Sequence, residues 1–196
     1  ITTTTAGDVV TASVSGLTAT TGALKISGVE TINLTTGGAN TLALAGSSGY
    51  LMLGVTDNKQ TITGFDLAST IGLGLVGDEA ATASEIDVTA ADATGADDTL
   101  KVRVENTNGG TNSIIDVSAV ENLALDIRAA NTVTLDLSTA EVTGISITEK
   151  AGINSGAIAL GTLHKNTTSL TSTSDGALTA SFANQNNAVT SSAVTF

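Results

Sequence analysis

Four carboxylates are distinguished by their neighbours. Asp78 and Glu79 follow Gly77, and Asp97 and Asp98 sit two and three residues past Gly95, so each pair falls in a Gly-containing loop. Hard cations such as Ca²⁺ take six to eight oxygens, and a loop of this kind supplies carboxylates and carbonyls together. The competing reading is plain solvated charge. The same acids are poorly placed for glycan chemistry, which needs two carboxylates about 5–10 Å apart in a cleft. Neighbours in a strand point to opposite faces, and Tyr50, Phe65, Phe182 and Phe196 are the only aromatic residues that could line such a cleft.

Other chemistry is scarce. His164 is the single histidine, in the polar stretch TLHKNT, and the chain has no cysteine. A zinc site or a Cys–His pair therefore lacks ligands. GSSG (46–49) is not a nucleophile elbow. Gly72, Gly74 and Gly77 spell G-x-G-x-x-G, but a dinucleotide fingerprint needs a strand before it and a helix opening on it. Here the surroundings are Thr-rich β segments, and strand–turn packing explains the glycines. Thr61–Thr63 and Thr171–Thr173 are Thr-x-Thr triplets of the ice-binding kind, yet they do not recur at constant spacing, and Thr in an exposed strand face is ordinary β-propensity. No catalytic residue is assigned, and the chain does not read as an enzyme.

The elements that must hold these residues are strands. Of 196 residues 41% are hydrophobic but only 2% aromatic, so a core must come from Val, Ile, Leu and Ala in thin regular layers. Proline is absent and glycine numbers 21, which leaves Gly, Asn and Asp to make the turns. Short period-2 segments run through the chain: 30–36, 40–46, 60–67, 85–90, 98–104, 112–118, 131–138, 144–150, 156–161 and 176–182. Spacings of roughly 8–14 residues mark an all-β sandwich, barrel or solenoid. We expect one repetitive β domain over 1–196, a short-stranded β-solenoid with a β-sandwich as runner-up. The only helical candidate is 79–93, with Asp78 as N-cap.

The charge is one-sided, with 19 acids against seven bases and a net charge of −12. Phosphate contacts need clustered Lys and Arg, so nucleic acid is not an expected partner. No run of about 18 apolar residues offers a transmembrane helix, and no membrane insertion is expected. The chain begins abruptly at Ile1 and reads as a segment of something longer.

One repeat aligns without gaps. Val29-Glu30-Thr31-Ile32-Asn33-Leu34, with Asn40, Thr41 and Leu44, returns as Val120-Glu121-Asn122-Leu123-Ala124-Leu125, with Asn131, Thr132 and Leu135. The blocks are 26–45 and 117–136. The offset is too long for one coil of a solenoid, so it spans several. GVETINLTT (28–36) and AVENLALDI (119–127) resemble the rungs of type I-secreted, RTX-related S-layer proteins of Gram-negative bacteria, and TGADDTLKV (94–102) is similar to the strand starts that precede such rungs. The resemblance implies a solenoid-like body, Ca²⁺-dependent folding, secretion to the outer cell surface and assembly into a lattice with copies of itself. Cell-surface polysaccharide is a further partner it suggests. The family's Ca²⁺-binding nonapeptide is missing, which excludes a regular tandem ladder of such sites. The alternative role is a repeat region of a large secreted adhesin.

Overall fold

The structure, a computed structural model, describes residues 8–16, 30–44, 49–54, 59–74, 84–106, 113–130, 132–153, 156–182 and 193–195. Among them the chain is all-β. The first sheet has nine strands: β1 (Val9–Ser15), β2 (Thr31–Gly37), β4 (Tyr50–Gly54), β6 (Thr70–Gly74), β8 (Thr99–Asn106), β10 (Asn122–Ile127), β12 (Gly144–Glu149), β14 (Ser169–Ser172) and β16 (Ala193–Thr195). The second has seven: β3 (Asn40–Ala43), β5 (Gln60–Phe65), β7 (Ser84–Ala90), β9 (Ser113–Val117), β11 (Val133–Asp136), β13 (Ile158–Leu163) and β15 (Leu178–Phe182). From β2 onward strands alternate between the sheets along the chain, and their order across each sheet is the order of the sequence. Paired strands run parallel, β1 to β2 and β3 to β5 alike. This is a β-solenoid. A sandwich built from hairpins would pair its strands antiparallel.

The two sheets face each other across one aliphatic layer. Ile32, Leu51, Ile71, Val102, Leu125 and Ile147 stand in lateral register across six strands of the first sheet. Leu42, Ile62, Val88 and Val117 do the same in the second. All ten are buried, and each contributes about 1.5–3 kcal/mol by leaving water. Stacking like on like removes the need for large irregular side chains, which is why so few aromatics suffice. Among the described aromatics Phe65 alone is buried.

The helical candidate at 79–93 is corrected here: β7 occupies Ser84–Ala90, and residues 79–83 lie outside the described ones. Ile86 and Val88 are buried between partly exposed Glu85 and Asp87, a period of two. Pairing with β5 and β9 on both edges overrides the helix propensity of the alanines. Four strands went unrecognised in the sequence, β1, β4, β14 and β16. β6 was obscured by its own glycines, Gly72 and Gly74.

Coils differ in length. The chain takes 19 residues from Thr31 to its partner Tyr50, and 31 from Thr70 to Lys101. The surplus is absorbed in the corners. Gly49 shows how tight the shorter ones are. Its φ is +122°, and a Cβ there would run into the carbonyl oxygen of Glu30 one coil away.

Candidate functional site

The aligned segments open β2 and β10, four strands apart in the first sheet. Their acids do the same thing. Glu30 Oε2 accepts the Asp8 N–H at 3.0 Å, and Glu121 Oε2 accepts the Asp98 N–H at 3.0 Å. Glu149 repeats the device at a strand end, taking the Asp175 N–H at 3.1 Å and the Ser174 hydroxyl at 2.7 Å. In each case a carboxylate reaches across one coil to a backbone donor at a corner, where the sheet ladder stops. The Asp98 amide is half-buried, and leaving such a donor without a partner costs about 1–3 kcal/mol, so Glu121 has structural work there. A second corner device is interior. Asn40 Nδ2 donates to Gln60 Oε1 at 2.9 Å, and both side chains donate to the Gly38 carbonyl at 2.9 Å. Both amides are buried.

The metal candidates divide. Asp78 and Glu79 lie outside the described residues. Asp97 is exposed, and Asp98 turns its carboxylate back on its own loop, where Oδ2 accepts the Gly95 N–H at 2.9 Å. Asp92 is in the same loop and accepts the Thr94 hydroxyl at 2.8 Å. Among the described residues no three His, Cys, Asp or Glu side chains gather as a metal shell. The fit to a caged Ca²⁺ ion is therefore incomplete at Asp97 and Asp98.

His164 occupies a turn, where its Nδ1 accepts the Asn166 N–H at 3.3 Å. Gly72 and Gly74 are in β6, and Gly77 lies outside the described residues. Thr61 and Thr63 belong to the second sheet, whereas Thr171 and Thr173 belong to the first sheet's side, so the two triplets share no face.

What the motifs did not reveal is a charged cluster on the outer face of the first sheet. Alternation in β8 sends Lys101, Arg103 and Glu105 outward. Arg103 Nε donates to Asp126 Oδ2 at 3.2 Å, and Arg128 Nε donates to the same oxygen at 2.9 Å. The Tyr50 hydroxyl donates to Glu105 Oε1 at 2.6 Å, and the Arg103 guanidinium lies 4.9 Å from the Tyr50 ring centre. Tyr50 reaches its partner by crossing Gly72, where any Cβ would strike the phenol. Burial, then the Glu105 carboxylate, pushes the Tyr50 phenol far above its ordinary value. Beside the cluster runs a shallow groove of about 180 Å³, bordered by Lys101, Arg103, Asp126, Ser146 and Thr148.

On the opposite face, Lys59 bonds Glu85 at 2.8 Å and Asp87 at 3.2 Å. Asp116 lies in direct register with Asp87. Partial burial, and after it the Asp87 carboxylate, raises the Asp116 pKa. The sequence signal for both faces was the alternation KVRV and EIDV, legible as strands but not as neighbours.

The chain matches none of the protein families, curated proteins or solved structures with which it was compared.

Proposed function

We propose that this chain is a structural segment of a self-assembling cell-surface lattice subunit, secreted to the outer surface and assembled with Ca²⁺. The observation that carries the reading is the architecture. Parallel strands stack into a nine-stranded and a seven-stranded sheet, and the outward side chains are chiefly Thr, Ser and Asn with scattered charge. Such a body spends its residues on extended surface rather than on an enclosed cleft. The rung resemblance points the same way, and so does a net charge of −12, which keeps single molecules apart until a cation joins them. Ca²⁺ bridges carboxylates of neighbouring molecules; Asp97 in its exposed loop is the described candidate, with Asp98 beside it.

Titration of the full-length protein with Ca²⁺, followed by light scattering, tests this. Particle size is expected to grow with Ca²⁺, to fall back with chelator, and to respond poorly to Mg²⁺, which demands tighter octahedral geometry. Equal responses to Ca²⁺, Mg²⁺ and chelator at matched ionic strength would defeat the calcium assignment.

A further inference from the structure

Two outward rows of the first sheet lie side by side. Thr99, Asn122, Gly144 and Ser169 share one register position across β8, β10, β12 and β14. Two residues further along, Lys101, Ala124, Ser146 and Thr171 share the next, and Thr70 of β6 extends that row. Gly144 and Ala124 keep the middle of this field low. A shallow trough of about 270 Å³ opens over the first row. The groove of about 180 Å³ beside Lys101 continues it, and Ser146 borders both.

Polar groups in the trough differ from those elsewhere on the coils. The Thr143, Thr148, Thr168 and Thr173 hydroxyls each donate to a backbone carbonyl one coil away. The side chains of Asn122, Ser146, Ser169 and Thr171 form no hydrogen bond with another described residue. Asn122 is half-buried, and its Oδ1 converges with Ser169 Oγ over Gly144. A Cβ there would lie 2.6 Å from the first and 3.2 Å from the second, so glycine keeps the space open. Lys101 is exposed and forms no ion pair among the described residues, whereas Arg103 and Arg128 neutralise Asp126. An amide, several hydroxyls and one ammonium thus face a single trough.

This set of groups selects its ligand. Amides and hydroxyls both donate and accept, which suits a chain that carries hydroxyls all along its length. The ammonium adds a charged hydrogen bond to a carboxylate. One free ammonium is too little for nucleic acid, whose binding rests on many phosphate contacts. A peptide would take a sheet edge or apolar pockets, and the trough is neither. Adjacent coils are ~4.8 Å apart, close to the length of one sugar in an extended chain, so successive coils meet successive sugars.

We infer that the trough binds an acidic polysaccharide lying along the solenoid axis. The carboxylate of a uronic acid sits on Lys101, and hydroxyls of the sugars that follow bond Asn122, Ser146 and Ser169. The inference goes beyond the lattice role. It gives the outer face of the first sheet a ligand of its own, whether or not copies of the chain assemble.

Calorimetric titration of the native chain in chelator, with an oligosaccharide alternating glucuronate and N-acetylglucosamine, tests it. Binding is expected, with the amide resonances of Asn122, Gly144 and Ser146 shifting. An uncharged cello-oligosaccharide of the same length should bind more weakly. Lys101→Gln should weaken binding of the acidic oligosaccharide by about tenfold, the equivalent of one charged hydrogen bond. Lys59→Gln, on the side of the second sheet, should leave it unchanged. Ser146→Ile puts a β-branched side chain where the two depressions meet, which a strand tolerates, and should abolish binding without lowering Tm. Equal affinity in Lys101→Gln overturns the inference, as does binding that survives Ser146→Ile, or no binding by the native chain. Retention on anionic phospholipid vesicles, with no affinity for the oligosaccharide, would also overturn it and make the face a membrane contact. Failure of glycan binding leaves the lattice reading standing. Failure of the full-length protein to assemble with Ca²⁺ strikes the lattice reading and leaves the trough.

Discussion

Replacing Gly72 with alanine should disturb a cluster that a single chromophore reports. Tyr50 is the only tyrosine and the chain has no tryptophan, so tyrosine absorbance and fluorescence come from one ring. An alanine Cβ at 72 would strike the Tyr50 hydroxyl and ring, and would sit 2.9 Å from Met52 Sδ. Backbone at 72 is held on both sides by parallel pairing, so the ring must swing away. It then loses its bond to Glu105, about 1.5–3 kcal/mol for a charged acceptor. It also loses Arg103 over its face, about 0.5–1 kcal/mol at an exposed site. Glu105 is partly solvated, which discounts the first figure, and alanine in place of a strand glycine returns about 0.5–1 kcal/mol. The net cost is about 1–2 kcal/mol, or a fall of about 4 °C in Tm. The alkaline titration is sharper. A phenol whose pKa is raised on folding stabilises the fold below the ordinary tyrosine range, and that contribution is lost as pH rises through the folded value. In the native chain tyrosinate absorbance should therefore appear late, together with unfolding. In Gly72→Ala it should appear near the ordinary tyrosine range while the fold persists. An unchanged tyrosinate titration in the variant would refute the placement of Tyr50 across Gly72.

Three further substitutions probe the coil. Asp116→Asn removes one of two like charges in register and should stabilise the protein at neutral pH by about 0.5 kcal/mol. Because the carboxyl's pKa is raised, the native aspartate favours folding only once protonated, so the asparagine's advantage should vanish as the pH of the melting experiment falls through the acid range. Gln60→Ala strips the Asn40 amide and the Gly38 carbonyl of a partner in the interior, and should cost about 2–4 kcal/mol in urea unfolding. Ala119→Gly should raise stability by about 1 kcal/mol, since Ala119 holds φ at 64° where an L side chain is strained. Gly28 stands at the matching place in the aligned segment, and a loss of stability in the variant would refute the strain.

The strands were largely legible because each carries alternate aliphatics facing one layer. Two of those the sequence hid, β4 and β6, lack that contrast. β4 reads YLMLG and β6 reads TIGLG, where outward Met52 and Gly72 are not polar. Parallel stacking was less accessible, since period two is common to parallel and antiparallel sheets alike. It is decided by chains of corners, and the corners here vary in length. That variation also hides the charged faces. Arg103 and Asp126 are neighbours because they share a register position on adjacent coils, yet no fixed spacing in sequence says so. Glu30 and Glu121 were visible as a pair of acids in aligned rungs. Their use, clasping Asp8 and Asp98 across a coil, required the partner strand to be placed.

Electron microscopy of the full-length protein on a lipid surface, with Ca²⁺ and with chelator, tests the lattice role most directly. A periodic two-dimensional sheet with Ca²⁺, dispersing in chelator, is the expected result. Scattered fibres or tufts in place of a sheet would contradict it and favour an adhesin.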